Sequence, residues 1–174
     1  ESSGNSSRSS CCRDTRREAV MTTLAVDPGD TTGIAFIGKS GELLLEFQMS
    51  HDELIEFLVH ANPAARLAMR HVDLVVVENF QLLPGKARAV SQKASRNVTA
   101  ARGIGALQLW AASRGVELIY RDPSHWRIGL QLAGIEPSRW PKQHKDGHSM
   151  CAYGAGFHAL VELGLVQSRL GTLQ

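Results

Sequence analysis

Five short apolar runs along the chain predict β-strands. The first begins at Leu24, and the second and third cover Thr32 to Gly38 and Glu42 to Gln48. Polar turns that contain glycine join these three runs, so they predict an antiparallel meander. The run from Asp73 to Phe80 is almost continuously apolar, which is typical of a strand buried on both faces of a sheet. Val116 to Arg121 follows a helix and therefore favours a parallel crossover to that buried strand.

Apolar residues at helical spacing predict helices between and after these strands. Ser50 and Glu53 form a capping box, in which the serine side chain accepts from the Glu53 amide at the start of the first helix. Strands and helices that alternate in this way indicate an α/β fold. The remaining helical segments run from Asn62 to about Arg70, from Ala94 or Asn97 to Ser113, over HWRIGLQL after Ser124, and from about Lys142 to Val166.

Length and composition favour one globular domain, since 43% of the 174 residues are hydrophobic and 21% are charged. Residues 1–20 are rich in serine and have almost nothing to bury, so we expect a disordered extension there and a single domain over 21–174. No run is apolar enough to span a bilayer. Cys11, Cys12 and Cys151 have neither disulfide nor zinc spacing, which favours a reducing, cytoplasmic compartment.

Basic residues are concentrated in the middle of the chain, although the net charge is only +2. Asn79 to Val116 contains no Asp or Glu, and a segment with that bias attracts a polyanion. Arg127 and Arg139 each adjoin a tryptophan, an arrangement that suits phosphate contact and base stacking, although indole rings buried in the core are an equally good interpretation. The basic residues of the segment are Lys86, Arg88, Lys93, Arg96, Arg102 and Arg114.

Three carboxylates occupy the ends of predicted elements. Asp27 lies in the glycine-containing turn after the first strand, Glu78 near the end of the buried strand, and Asp146 in the first turn of the last helix. If they converge on one cleft, oxygen ligands of this kind select Mg²⁺ or Mn²⁺, and two such ions support phosphodiester hydrolysis. The competing interpretations are an ordinary acidic turn, a solvated loop residue, and an acid that favours the helix dipole.

Four motifs together resemble the RuvC family of Holliday junction resolvases, within the RNase H-like superfamily. They read LAVDPGDTTGIAF, VVVENF, AARGIGAL and HKDGHSMCAYGAGFHAL, and the resemblance covers nearly all of Met21 to Val166. It implies an RNase H-like three-layer α/β fold with a mixed five-stranded sheet flanked by helices. It also implies a homodimer that nicks branched DNA with Mg²⁺, leaving 5′-phosphate and 3′-hydroxyl ends.

The resemblance implies a role for individual residues. Asp27 would bridge two metal ions, Glu78 would bind one and orient the attacking water, and Asp146 would complete the site. Phe80 falls close to the position of an aromatic residue that the family inserts into the junction, with a register open by one residue. Basic side chains in the regions that the family uses on phosphates are Lys86, Arg88, Lys93 and Arg127.

Two features depart from the family pattern. One helical turn before the last carboxylate the family usually has a second ligand, whereas this chain has Gln143, a weaker neutral ligand. His144 or His148 could substitute for it, and a histidine here could instead be a general base. The segment between Leu132 and Lys142 is also shorter than in typical bacterial resolvases, which leaves junction specificity open.

Three other functions compete with a resolvase. An RNase H-like nuclease of broader branched-DNA specificity would cut flaps or forks as well as four-way junctions. A non-catalytic junction-binding protein would gain nothing from like charges in one cleft. A sugar-kinase-like or actin-like ATPase needs two domains of this kind, and the chain is too short for both.

Overall fold

The computed structural model describes residues 22–60, 68–79, 90–140 and 147–170, and within the long helix it describes side chains from residue 98 onward. Its centre is a five-stranded mixed sheet in the order β3-β2-β1-β4-β5, which confirms the predicted sheet. The strands are β1 (Thr22–Asp27), β2 (Thr31–Ile37), β3 (Leu43–Ser50), β4 (Val72–Glu78) and β5 (Glu117–Arg121). The helices are α1 (His51–His60), α2 (Val90–Arg114), α3 (His125–Leu132) and α4 (His148–Glu162), with a 3₁₀ turn at Pro137–Arg139.

The first three strands form the predicted antiparallel meander, in which β2 pairs with both β1 and β3. Gly41 ends the β2–β3 turn with φ of 79°, a conformation that only glycine adopts without strain. The Ser50 amide then donates to Glu53 Oε2 at 2.6 Å, and the Glu53 amide donates to Ser50 Oγ at 3.3 Å. These two bonds confirm the capping box at the start of α1.

The apolar run of β4 forms an interior strand of the sheet, parallel to β1 on one side and to β5 on the other. Val75, Val76 and Val77 are fully buried, as a central strand covered on both faces requires. The position of β5 beside β4 confirms the predicted parallel crossover through α2. The carboxyl ends of β1, β4 and β5 therefore lie at one edge of the sheet.

A hydrophobic core covers each face of the sheet. Val26 and Val77 belong to the core that contains residues of α1 and α2, whereas Ala25 and Val76 belong to the core on the side of α3 and α4. Side chains alternate between faces along a strand. Asp27, the last residue of β1, and Glu78, the last of β4, therefore point to the α3–α4 side.

Two helix boundaries differ from the predictions. Helix α2 begins at Val90, before the expected start near Ala94 or Asn97, and α4 covers His148–Glu162. Since α4 begins at His148, the prediction that the last helix starts near Lys142 was wrong, and Asp146 precedes that helix. Within the described ranges, no helix combines the length and the hydropathy needed to cross a membrane.

Candidate active site

Asp27 ends β1 at the edge of the sheet and is only 2% exposed. It pairs with Gly33 across the β1–β2 hairpin. The turn between the two strands contains Pro28 and Gly29, and the Thr32 hydroxyl donates to the Gly29 carbonyl at 3.3 Å, which closes the turn. The carboxylate is thus held by a short turn and two hydrogen-bonded strands, and its backbone has little freedom to move.

Glu78 ends β4 beside Asp27, one register position beyond the pair Val26 and Val77. It is 1% exposed, and its Oε2 atom is buried with no hydrogen-bond partner within the described parts of the chain. The alternative that Glu78 lies in a solvated loop is therefore wrong. A buried acceptor without a donor costs free energy, so this oxygen calls for an explanation in terms of function or of a bound group.

The carboxyl groups of Asp27 and Glu78 repel each other when both are ionised. Burial raises the pKa of Glu78 to about 9, and the charges of Asp27 and then of Asp122 act in the same direction. Asp122 directly follows β5, whose last residue, Arg121, pairs with Glu78. Three acidic residues therefore lie near one edge of the sheet. Of these, Glu78 keeps its proton at neutral pH when no cation is bound.

His148, the first residue of α4, lies against this pair. Its Nδ1 atom donates to Asp27 Oδ2 at 2.7 Å, an arrangement that orients both side chains. The approach depends on Gly33, because a Cβ atom there would lie 2.0 Å from the His148 carbonyl carbon. Of the two histidines considered as substitutes for Gln143, His148 contacts Asp27, whereas His144 lies outside the described residues.

Cys151 follows His148 by one helical turn and is fully buried. The pKa of its thiol is raised to about 12, by burial first and then by the charges of Asp27 and Glu78, against an opposing effect of Arg127. The thiol therefore lies near both carboxylates and stays protonated at neutral pH. Arg127 on α3 is close enough for its positive charge to affect the Cys151 thiol at this edge of the sheet.

The tryptophans of the region belong to the core. Trp126 is 6% exposed and its ring packs edge-on to that of Trp140 at 6.1 Å between centroids. The Trp140 indole donates to the Ile135 carbonyl at 3.0 Å. The guanidinium of Arg127 lies 5.0 Å from the centroid of Trp126. Of the two interpretations, the indole packed in the core is the one observed, while the exposed side chains of Arg127 and Arg139 stay available for phosphate.

Several predicted residues lie outside the described parts of the chain, so their roles stay predictions. Asp146 is among them, and within the described residues no group of three or more His, Cys, Asp or Glu is arranged to hold a metal ion. Lys93 and Arg96 fall within α2, but their side chains are not described. The others outside the description are Phe80, Lys86, Arg88, Gln143 and His144.

The sequence did not lead us to predict two residues near the site, Asp122 and Cys151. Asp122 could have been found, because it directly follows a predicted strand parallel to β4 and so falls at the same edge. The position of Cys151 one turn after His148 on α4 also carried a signal. The contact between Asp27 and His148 had no such signal, since it depends on how closely α4 approaches Gly33.

No protein-family model and no curated protein matches this sequence. The fold does resemble solved structures. RuvC of Thermus thermophilus in complex with a Holliday junction substrate aligns with a TM-score of 0.55 at 13% identity, over 85% of this chain and 99% of that one. Another structure of Thermus thermophilus RuvC aligns with a TM-score of 0.54 at 14% identity, over the same shares. The fold of this chain is therefore RuvC-like, which confirms the predicted RNase H-like fold class.

Proposed function

We propose that this protein is a Mg²⁺-dependent, structure-specific endonuclease that nicks four-way DNA junctions. The observation that carries the proposal is the buried pair of Asp27 and Glu78, in which Glu78 Oε2 has no partner. The likeness of the fold to a RuvC structure determined with a Holliday junction supports the choice of branched DNA as the substrate. A fold stabilised for its own sake gains nothing from two carboxyl groups buried side by side.

The donor set at this edge fits a hard divalent cation. Carboxylate oxygens are the preferred ligands of Mg²⁺, with Mn²⁺ as a substitute, and a cation would satisfy the buried Glu78 oxygen. Asp27, Glu78 and Asp146 would hold the metal, with two ions expected from the family resemblance. Bound there, the ions would supply activation of a water molecule and stabilisation of the leaving oxygen.

The remaining residues act through position and charge. His148 fixes the orientation of Asp27 through the 2.7 Å bond to Oδ2, and in the proposed site it takes the place that Gln143 fills poorly. Arg127 on α3 would contact a phosphate beside the scissile bond. The acid-free segment from Asn79 to Val116 would hold the DNA backbone farther out, through side chains that include Lys86 and Arg88.

A homodimer is part of the proposal, because two nicks in a two-fold symmetric junction require two sites. On α2, Val98 is 58% and Leu109 is 74% exposed. Gly105 lies between them, and a Cβ atom added there would meet nothing within 4 Å. We expect this face to pack on a second copy of the chain. Leu109→Glu should shift the protein toward monomer in sedimentation analysis, and an unchanged dimer would place the contact elsewhere.

The test is cleavage of a synthetic four-way junction, with flap, fork and duplex DNA as competitors, in Mg²⁺ and in chelator. Asp27→Asn should keep the fold and junction binding but abolish nicking. Asp73→Asn, an exposed acid on β4, serves as the matched control and should cut normally. Undiminished cleavage by Asp27→Asn would remove this residue from the mechanism.

The same assay separates the competing functions. Equal cleavage of flaps and four-way junctions would favour the nuclease of broader branched-DNA specificity. Tight junction binding with no cleavage in either metal would favour the non-catalytic binding protein.

A further inference from the structure

Two histidine rings stack where helix α3 meets helix α4. The ring centroids of His125, at the start of α3, and His158, on α4, lie 4.4 Å apart with 25° between the ring planes. His158 is 7% exposed, and the Nδ1 atoms of both rings are buried with no hydrogen-bond partner in the portion of the chain that the structure describes. The two histidines belong to different helices, and nothing in the proposed nuclease function requires their contact.

The charged groups that face the pair come from three elements. Glu162 on α4 places Oε2 at 3.7 Å from His158 Nδ1, but the same oxygen already accepts from Arg121 Nη2 at 2.8 Å. Arg121 ends β5 and adds a fixed positive charge. Asp122, which follows it, lies near enough to His125 for their charges to interact. The nearest carboxylate to His158 is therefore shared with a permanent cation.

Helices α3 and α4 also pack backbone against backbone at two glycines. A Cβ atom on Gly129 of α3 would lie 1.7 Å from the backbone oxygen of Gly154 on α4. A Cβ atom on Gly154 would lie 2.2 Å from the backbone oxygen of Trp126. Backbones this close respond to repulsion by separating rather than by small side-chain adjustments.

We propose that the stack of His125 on His158 is a pH-sensitive contact, which joins α3 to α4 while His158 is neutral and loosens when it gains a proton. A proton on His158 places a charge in a buried site beside Arg121, and the carboxylate 3.7 Å away, that of Glu162, is already paired with that arginine. The proposal rests on the fold alone and does not depend on the nuclease function.

The direction of the pH effect follows from the surroundings of His158. Burial lowers its pKa; Glu162 opposes this, whereas His125 and Arg121 add to it. Because the unfolded chain then binds more protons than the folded one, stability is lost as the pH falls through 6.5 and below. Helix α3 carries Arg127, so acid would also loosen the placement of that side chain.

The test compares the melting temperature of the full chain at pH 7.5 and pH 5.5, at one protein concentration and without metal. His158→Phe and His125→Phe each keep an aromatic ring in the stack and remove one titrating group. His71→Gln, at an exposed histidine, is the matched control. Amide exchange of residues 125–132 at both pH values reports whether α3 itself loosens.

Acidification also favours the buried, protonated Glu78 in every one of these proteins, so the comparison is made between proteins. We expect the change in Tm from pH 7.5 to pH 5.5 to be less favourable in the wild type than in His158→Phe, with His125→Phe between the two. His71→Gln should follow the wild type, and His158→Phe should keep its protection in α3 at both pH values. Equal changes in Tm in all four proteins would overturn the proposal. If His158→Phe does not fold, His125→Phe and the NMR titration of His158 decide, and a midpoint at or above 6.5 would also overturn it.

Discussion

Replacing Glu78 by glutamine should stabilise the metal-free protein while it abolishes activity. The folded protein buries this carboxyl beside Asp27, and burial raises its pKa to about 9 from an ordinary value of 4.5. Between those two values the folded state binds a proton that the unfolded state lacks. Stability therefore falls as the pH rises from 4.5 to 9. Glutamine has the same shape and no titration, so Glu78→Gln should not show this loss.

The size of the effect follows from the gap between 4.5 and the pH of the experiment. At about pH 7.5 the gap is about three units, and at about 1.4 kcal/mol per unit it gives an upper bound of about 4 kcal/mol. For a chain of this length 1 kcal/mol moves Tm by about 2–4 °C. The variant should therefore melt several degrees above the wild type at pH 7.5, and the two should converge near pH 4.5.

Thermal denaturation followed by circular dichroism, in chelator and over a series of pH values, measures this difference. Glu117→Gln is the matched control, since Glu117 is exposed at the opposite end of the sheet, and it should melt as the wild type does. Added Mg²⁺ should raise the Tm of the wild type by mass action and that of Glu78→Gln much less.

The melting curves in chelator test the burial of the Glu78 carboxyl group, and those with added Mg²⁺ test the metal site. A Glu78→Gln protein that is no more stable than the wild type in chelator at pH 7.5 would show that the buried carboxyl is not strained. A strained Glu78 with no response to Mg²⁺ in the wild type would keep the electrostatic argument and remove the metal from it.

Two glycine substitutions test the packing around the site. Gly33→Ala should leave a folded protein with nicking reduced about 100-fold, because its Cβ would lie 2.0 Å from the His148 carbonyl carbon and a shift on the order of 1 Å is enough for such a loss. Gly129→Ala should lower Tm or prevent folding, since its Cβ would meet the Gly154 backbone at 1.7 Å. Gly103→Ala, whose Cβ would lie 3.5 Å or more from its nearest neighbours, should be neutral or slightly stabilising in both assays. Normal nicking by Gly33→Ala would show that α4 can shift without cost.

The strands could be predicted because their signals are local. Alternation, glycine turns and the uninterrupted apolar run of β4 each occupy a few consecutive residues, and the structure agrees with them to within one or two positions. Helix starts were less reliable. The first turn of α2, which begins at Val90, contains no acidic residue, and α4 begins after Gly147 without a side-chain cap, so neither start has a sequence signature.

The site was predictable only in part, because some of its contacts join residues that are far apart in the sequence. Asp27 and Glu78 end two strands whose pairing followed from the fold class, so their proximity could be inferred. The bond from His148 to Asp27 spans 121 residues and depends on the absence of a side chain at Gly33. A contact created by missing atoms leaves no pattern of polar or apolar residues, and it becomes visible only when the backbones are placed.

Local preference and global fold agree along most of this chain, and they conflict at one edge of the sheet. There Glu78 Oε2 is buried with no hydrogen-bond partner among the described residues, and a second buried carboxyl group lies beside it at Asp27. A helix backbone is also brought within contact of Gly33. Each feature costs stability alone, and none is needed to hold the sheet together, since β1 and β4 already pair from Thr23 with Leu74 to Val26 with Val77. Proteins retain such conflicts where function requires them. Their concentration at the carboxyl ends of β1 and β4 is therefore an argument for chemistry at this edge that does not depend on the likeness to any other structure.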